Sequence, residues 1–152
     1  MELTLVNNQL LKTYHRLLKV LPNKTHRFLF FNFNLNSKLT GLIGPRGAGK
    51  TTLLLQYINE KIEDKDECIY VSLDNIYFSN IKLYDFIEES YEVDGIRYFF
   101  LDEIHKYNNS GHEIKNIYDS FPLIKIVLSG SSSPDSLLEN LLILKTIIIL
   151  SP

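Results

Sequence analysis

The sequence is short of the residues that mark several classes of protein. It has one cysteine, Cys68, so no disulfide can form within the chain. A disulfide-stapled secreted scaffold is excluded, and a reducing, intracellular setting is expected. Long apolar runs are also missing. The longest covers residues 141–150 and is broken by Lys145 and Thr146, well short of the ~20 apolar residues that a membrane-spanning helix needs. The first 21 residues carry Glu2, Asn7, Asn8, Gln9 and Lys12 and lack the uninterrupted apolar stretch of a signal peptide. A cytoplasmic location without a membrane partner is the expectation. Charge of one sign is scarce too. With Lys and Arg at 16 and Asp and Glu at 18, the formal net charge is -2. That balance gives no global attraction toward nucleic acid or an anionic membrane, and nucleic acid is not indicated as a partner.

What is present is an ordinary globular composition. A chain of 152 residues has room for one domain with a sizeable core, and one domain over residues 1–152 is expected. Hydrophobic residues are 45% and charged residues 22%, which excludes disorder as the main state. Residues 10–21 place Leu10, Leu11, Tyr14, Leu17, Leu18 and Leu21 at helical spacing, and Pro22 stops the helix. Residues 28–35 alternate aromatics with Asn32 and Asn34 and read as a strand. Its aromatics belong to the core or a sheet edge, since no basic residues interleave them as single-strand binding would want. Further strands are expected at residues 39–43, 69–73, 98–101, 124–128 and 147–150, and helices at 50–62, 81–91, around 114–118 and at 137–144. Asp94 and Gly95 form a turn. Cys68, beside Ile69, Tyr70 and Val71, reads as a buried strand cysteine. The alternation is that of an α/β fold: a three-layer sandwich with a mostly parallel sheet of about five strands and flanking helices.

Between the strand at 39–43 and the helix at 50–62 stands Gly44-Pro45-Arg46-Gly47-Ala48-Gly49-Lys50-Thr51, followed by Thr52. It matches G-x-x-x-x-G-K-[ST], the Walker A phosphate-binding loop, in the strand–loop–helix context that gives the motif its meaning. Gly44, Gly47 and Gly49 permit a tight turn whose N–H groups surround an anion. The helix that follows adds its N-terminus. Lys50 is expected to reach the β- and γ-phosphates of ATP, and Thr51 to offer its hydroxyl to Mg²⁺. Arg46 lies inside the loop and reads first as an exposed loop-tip side chain. A P-loop NTPase is the fold this motif implies.

The strand Tyr98-Phe99-Phe100-Leu101 ends in Asp102 and Glu103. Carboxylates there stand at the C-terminal edge of a parallel sheet, where open α/β folds bind ligands. Asp102 is expected to orient Mg²⁺ as a Walker B aspartate and Glu103 to polarise the attacking water as a general base. Another apolar strand, residues 124–128, runs into Ser129-Gly130-Ser131-Ser132-Ser133. Ser129 is the first choice for a hydroxyl that holds the attacking water and Ser131 the second; a serine-rich turn is the plain alternative.

Taken in order, these segments carry a resemblance. The stretch from Gly44 to Leu54, then Tyr70-Val71-Ser72-Leu73-Asp74, Leu101-Asp102-Glu103-Ile104-His105-Lys106-Tyr107, Ile114-Lys115-Asn116-Ile117-Tyr118-Asp119 and Leu128-Ser129-Gly130-Ser131-Ser132 are similar to the AAA+-like P-loop ATPases of bacteria and archaea that carry a C-terminal domain of unknown function. The resemblance covers about residues 10–133. The adjacent Asp-Glu pair resembles that of the branch holding AAA+, RecA-like and ABC proteins, in which another strand stands between the phosphate-loop strand and the acidic one. It implies that Ser129 occupies the sensor 1 place and that a homo-oligomer or a protein partner is involved. Departures are visible. The family's tryptophan after the acidic strand is replaced by Asn109-Ser110-Gly111, and the arginine pair after the serines by residues 141–145. Arginine occurs only at 16, 27, 46 and 97. Without lid or sensor 2 arginine, the resemblance implies a truncated or degraded member with weak hydrolysis.

Other readings fall away. A small-molecule kinase needs lid arginines to neutralise the transferring phosphoryl group, and none follows Arg97. A GTPase would carry an Asn-Lys-x-Asp guanine motif, which is missing. His105 and His112 have no cysteine or further histidine near them in sequence to complete a zinc site, so His105 reads as a polar loop residue. Two functions lead, an ATPase motor or switch and a nucleotide-binding remnant acting as an interaction module; a DNA-associated role is neither supported nor excluded by the charge balance.

Overall fold

The computed structural model describes residues 2–21, 32–131 and 146–149. Helix α1 (Glu2–Lys19) begins earlier than residue 10 because Val6 extends the same stripe, and Val6, Leu10 and Tyr14 are all buried at a spacing of four. Arg16 and Lys19 close its last turn, where cations suit the helix dipole. The chain continues through β1 (Leu39–Ile43), α2 (Lys50–Lys61), β2 (Cys68–Ser72), α3 (Leu83–Glu92), β3 (Tyr98–Asp102), α4 (Ser110–Ser120), β4 (Lys125–Gly130) and β5 (Thr146–Ile149). The sheet is five-stranded in the order β2-β3-β4-β1-β5, and every pair is parallel.

Parallel strands are covered on both faces, which is why they read as continuous apolar runs. All five residues of β1 are buried, as are Phe99, Phe100, Leu101 and Asp102 of β3. The chain crosses the sheet one way from β1 to β2 and returns through β3 to β4. Right-handed crossovers then put α2 on one face and α3 and α4 on the other. Leu53, Leu54, Tyr57, Ile58 and Ile62, the inward residues expected of α2, are buried. Phe86 of α3 packs edge-to-face on Phe99 and on Phe78. Each such side chain contributes about 1.5–3 kcal/mol through burial. Helix α1 lies against α3 and against β2, the edge strand. There it masks a strand edge that would otherwise invite pairing.

One expected strand does not form where residues are described. Asn32 is helical and residues 33–35 are irregular, while residues 28–31 lie outside the described set. The reason is local: Asn34 Oδ1 accepts from the Asn36 N–H at 3.0 Å, an Asx turn that competes with ladder pairing. Phe33 is nonetheless core, edge-to-face with Tyr57 at 4.7 Å. The helix expected at residues 137–144 also lies outside the described residues. Among the described residues no helix is long and apolar enough to cross a membrane.

Candidate functional site

Because all strands run the same way, β1, β3 and β4 deliver their C-terminal ends to one edge. Past Ile43 the chain is stitched to β4 by the Gly44 N–H donating to the Gly130 carbonyl at 3.3 Å. It then turns, with Ala48 N–H donating to Pro45 O at 3.1 Å. Gly47 and Gly49 have φ of 81° and 87°, a left-handed conformation that glycine adopts without a Cβ penalty. Gly49 caps α2 with no side-chain bond, so the first-turn N–H groups keep their capacity for an anion. Pro45, Arg46 and Gly47 form the exposed tip, whereas Gly44 and Ala48 are buried.

Lys50 is 5% exposed. Its Nζ donates to the Gly44 carbonyl at 2.7 Å and the Pro45 carbonyl at 2.9 Å, which centres the ammonium in the bend of the loop. One residue on, Thr51 Oγ1 donates to Asp102 Oδ2 at 2.5 Å. The first turn of α2 and the end of β3 are thus joined through a hydroxyl and a carboxylate. Thr52 is exposed on the same turn and does not line the cleft described below.

Asp102 is 1% exposed and is surrounded by donors. Tyr70 Oη, from β2, donates to the same Oδ2 at 2.5 Å. Ser129 Oγ, from β4, donates to Oδ1, and the Glu103 N–H donates to Oδ1 at 3.1 Å. Buried carboxylates need such donors, because desolvation without them costs several kcal/mol (about 2–7 for a polar group). Burial and then the neighbouring Asp102 charge push the Tyr70 hydroxyl well above its ordinary range. It therefore stays protonated and donates.

Glu103 has φ 59° and ψ 43°, left-handed for a residue with a full side chain. Such backbone costs about 1–3 kcal/mol and gathers at functional sites. Its Oε2 lies 3.1 Å from His105 Nε2. The Ser131 N–H donates to His105 Nδ1 at 3.3 Å, and Ser131 Oγ lies 3.0 Å from Nε2. The accepting Nδ1 leaves the proton on Nε2, between the carboxylate and the serine hydroxyl. A cleft of about 310 Å³ is walled by Arg46, Thr51, Tyr70, Asp102, Glu103 and His105, with Ser131 at its side.

The same sheet edge brings together Gly44, Lys50, Thr51, Asp102, Glu103, Ser129 and Ser131. Ser129 departs in orientation: its hydroxyl is committed to Asp102 from behind, and Ser131 is the serine at the cleft wall. Sequence reasoning overlooked Tyr70. Its signal was a hydroxyl two residues from the end of an otherwise apolar strand, on the same face as Ser72. Among the described residues no cluster of three or more His, Cys, Asp or Glu forms a separate metal site.

With this geometry in place, residues 36–143 match the family model described as "AAA domain". The chain belongs to the AAA domain family. It is a nucleotide-binding P-loop ATPase-like domain, and β4 stands between β1 and β3 as the acidic pair implied. No curated protein matches the sequence. Among solved structures, the AAA domain is similar in fold to PCH-2 of C. elegans at a TM-score of 0.52 and 15% identity, over 96% of this chain and 42% of that one. It is also similar to katanin, in a structure concerned with katanin self-assembly, at a TM-score of 0.51 and 17% identity over 80% of this chain and 43% of that one. The chain spans less than half the length of either.

Proposed function

We propose that this AAA domain binds Mg²⁺–ATP at the C-terminal edge of β1, β3 and β4 as the nucleotide-binding core of an AAA+-like ATPase. The observation that carries the reading is the 2.5 Å bond from Thr51 Oγ1 to Asp102 Oδ2. A hydroxyl donating its proton to a carboxylate keeps lone pairs for a metal ion. The donor set, a hydroxyl and a carboxylate, is all oxygen and fits a hard divalent cation. Thr51 and Asp102 would hold Mg²⁺, which when bound supplies positive charge beside the β- and γ-phosphates. The N–H groups of residues 46, 47 and 49–52 would cradle the phosphates, and Lys50 would turn its ammonium from the loop carbonyls to the phosphate oxygens. Glu103 orients the attacking water and accepts its proton. Ser129 acts through Asp102, and Ser131 faces the cleft. The same reading places the chain with the bacterial and archaeal AAA+-like ATPases that carry a C-terminal domain of unknown function, and with self-association as in katanin.

A second reading, a nucleotide-binding module with little turnover, is favoured by the distribution of arginine, none of which follows Arg97. The test common to both is ligand-induced stabilisation. Mg²⁺–ATP at about a hundred times its Kd should stabilise the wild type by roughly 2.7 kcal/mol. Lys50→Ala should lose most of that shift. An equal shift in both proteins would sink the assignment.

A further inference from the structure

We infer that Tyr70 is a positioning residue for the metal-holding pair Thr51–Asp102, a role that rests on the nucleotide reading above. Strand register brings it there. Ser72 of β2 stands opposite Asp102 of β3, so Tyr70, two residues earlier on the same face, is the diagonal neighbour of Asp102. A long side chain spans that diagonal, and the Tyr70 hydroxyl reaches Asp102 Oδ2 at 2.5 Å.

The oxygen it meets is the one that Thr51 also meets. Two hydroxyls on one carboxylate oxygen fix the rotation of the carboxylate plane, and Ser129 with the Glu103 N–H fixes the other oxygen. Asp102 is then locked from β2, β4 and α2 at once. Tyr70 is 5% exposed, so its ring is wedged by packing and its hydroxyl has little freedom to leave. Partners of this kind orient the groups that hold a metal, and their loss typically weakens metal affinity by about 10- to 100-fold. Tyr70 acts through Asp102 and need not touch nucleotide.

The test is Tyr70→Phe, which keeps the ring and removes only the hydroxyl. Binding of a fluorescent ATP analogue is measured in EDTA and across a Mg²⁺ titration, for wild type and variant. The Mg²⁺ midpoint should rise roughly tenfold while the affinity in EDTA is unchanged. An unchanged midpoint would overturn the inference, as would an equal loss in EDTA, which would mean that the hydroxyl contacts nucleotide or serves packing alone. Wild type that binds the analogue under neither condition would overturn the nucleotide reading and this one together. If Tyr70→Phe unfolds more readily, the Asp102→Asn background decides. There, Tyr70→Phe should add no further loss of Mg²⁺ dependence, and additive losses would show independent roles.

Discussion

Asp102 and Glu103 are neighbours in sequence with opposite environments. The Asp102 carboxylate is buried and receives hydroxyls from Thr51, Tyr70 and Ser129. Glu103, half-exposed on a left-handed residue, meets only the His105 ring through its carboxylate among the described residues. The two substitutions should therefore separate. Asp102→Asn removes the charge that faces a cation and should weaken the Mg²⁺ dependence of binding. Glu103→Gln should leave ATP affinity intact and lower hydrolysis by roughly 10²- to 10⁴-fold, the usual contribution of a general base. Equilibrium binding and single-turnover hydrolysis measured on both proteins would settle the division of roles, and identical behaviour would refute it.

At the scale of the element, β2 is an edge strand sealed by α1. Tyr14 is fully buried and its hydroxyl donates to the Lys65 carbonyl at 3.2 Å. Cys68, which opens β2, has no exposed surface, and burial pushes its thiol up to about 12. Only the thiolate reacts, so Cys68 should resist a thiol-specific disulfide reagent at pH 8 while α1 stays docked. Tyr14→Ala removes a large buried ring, a change that costs about 3–5 kcal/mol for comparable aromatics, and should expose the thiol to much faster labelling. Labelling rates in the two proteins check this; rapid reaction of the wild type would mean that α1 does not seal the edge. The segment after β3 is a second junction of elements. His105 ties it to the end of β4 through Ser131, so the acidic pair and the serine strand are held as one rim.

For the whole molecule, the placement of positive charge governs the expected rate. Phosphoryl transfer relies on charge at the transition state, and an arginine finger is worth about 10³–10⁵ in rate. Arg97 is stacked over the Tyr91 ring at 4.0 Å and bonded to the Tyr91 and Ile96 carbonyls, at the N-terminal end of β3, away from the cleft. Arg46 lies on the loop tip at the cleft wall. The purified 152-residue polypeptide should accordingly bind ATP and turn it over slowly, unless a neighbouring copy or partner supplies the charge. Steady-state phosphate release across protein concentrations tests this. Robust turnover independent of concentration would refute it.

What the amino-acid order determined by itself was local. Glycines at 47 and 49 sit where left-handed backbone is needed, Lys50 and Thr51 follow them onto a helix, and apolar runs mark buried parallel strands, because each of these depends on neighbours within a few positions. The strand between β1 and β3 was implied only by the resemblance that the adjacent acidic pair carries. The irregular backbone at residues 33–35 was not legible, because apolar alternation reads as a strand even where an Asn side chain, here Asn34, takes up a backbone N–H in a turn. Only the tertiary structure decided the contacts made across strands. Register sets Ser72 opposite Asp102 and so aims Tyr70 at the carboxylate. On β4, Ser129 bonds Asp102 from within the strand, whereas Ser131 lies past the strand end, no longer held by the ladder, and reaches His105. Spacing along one chain carries no information about which hydroxyl of another strand arrives at the same oxygen; packing of the sheet and its helices supplies it.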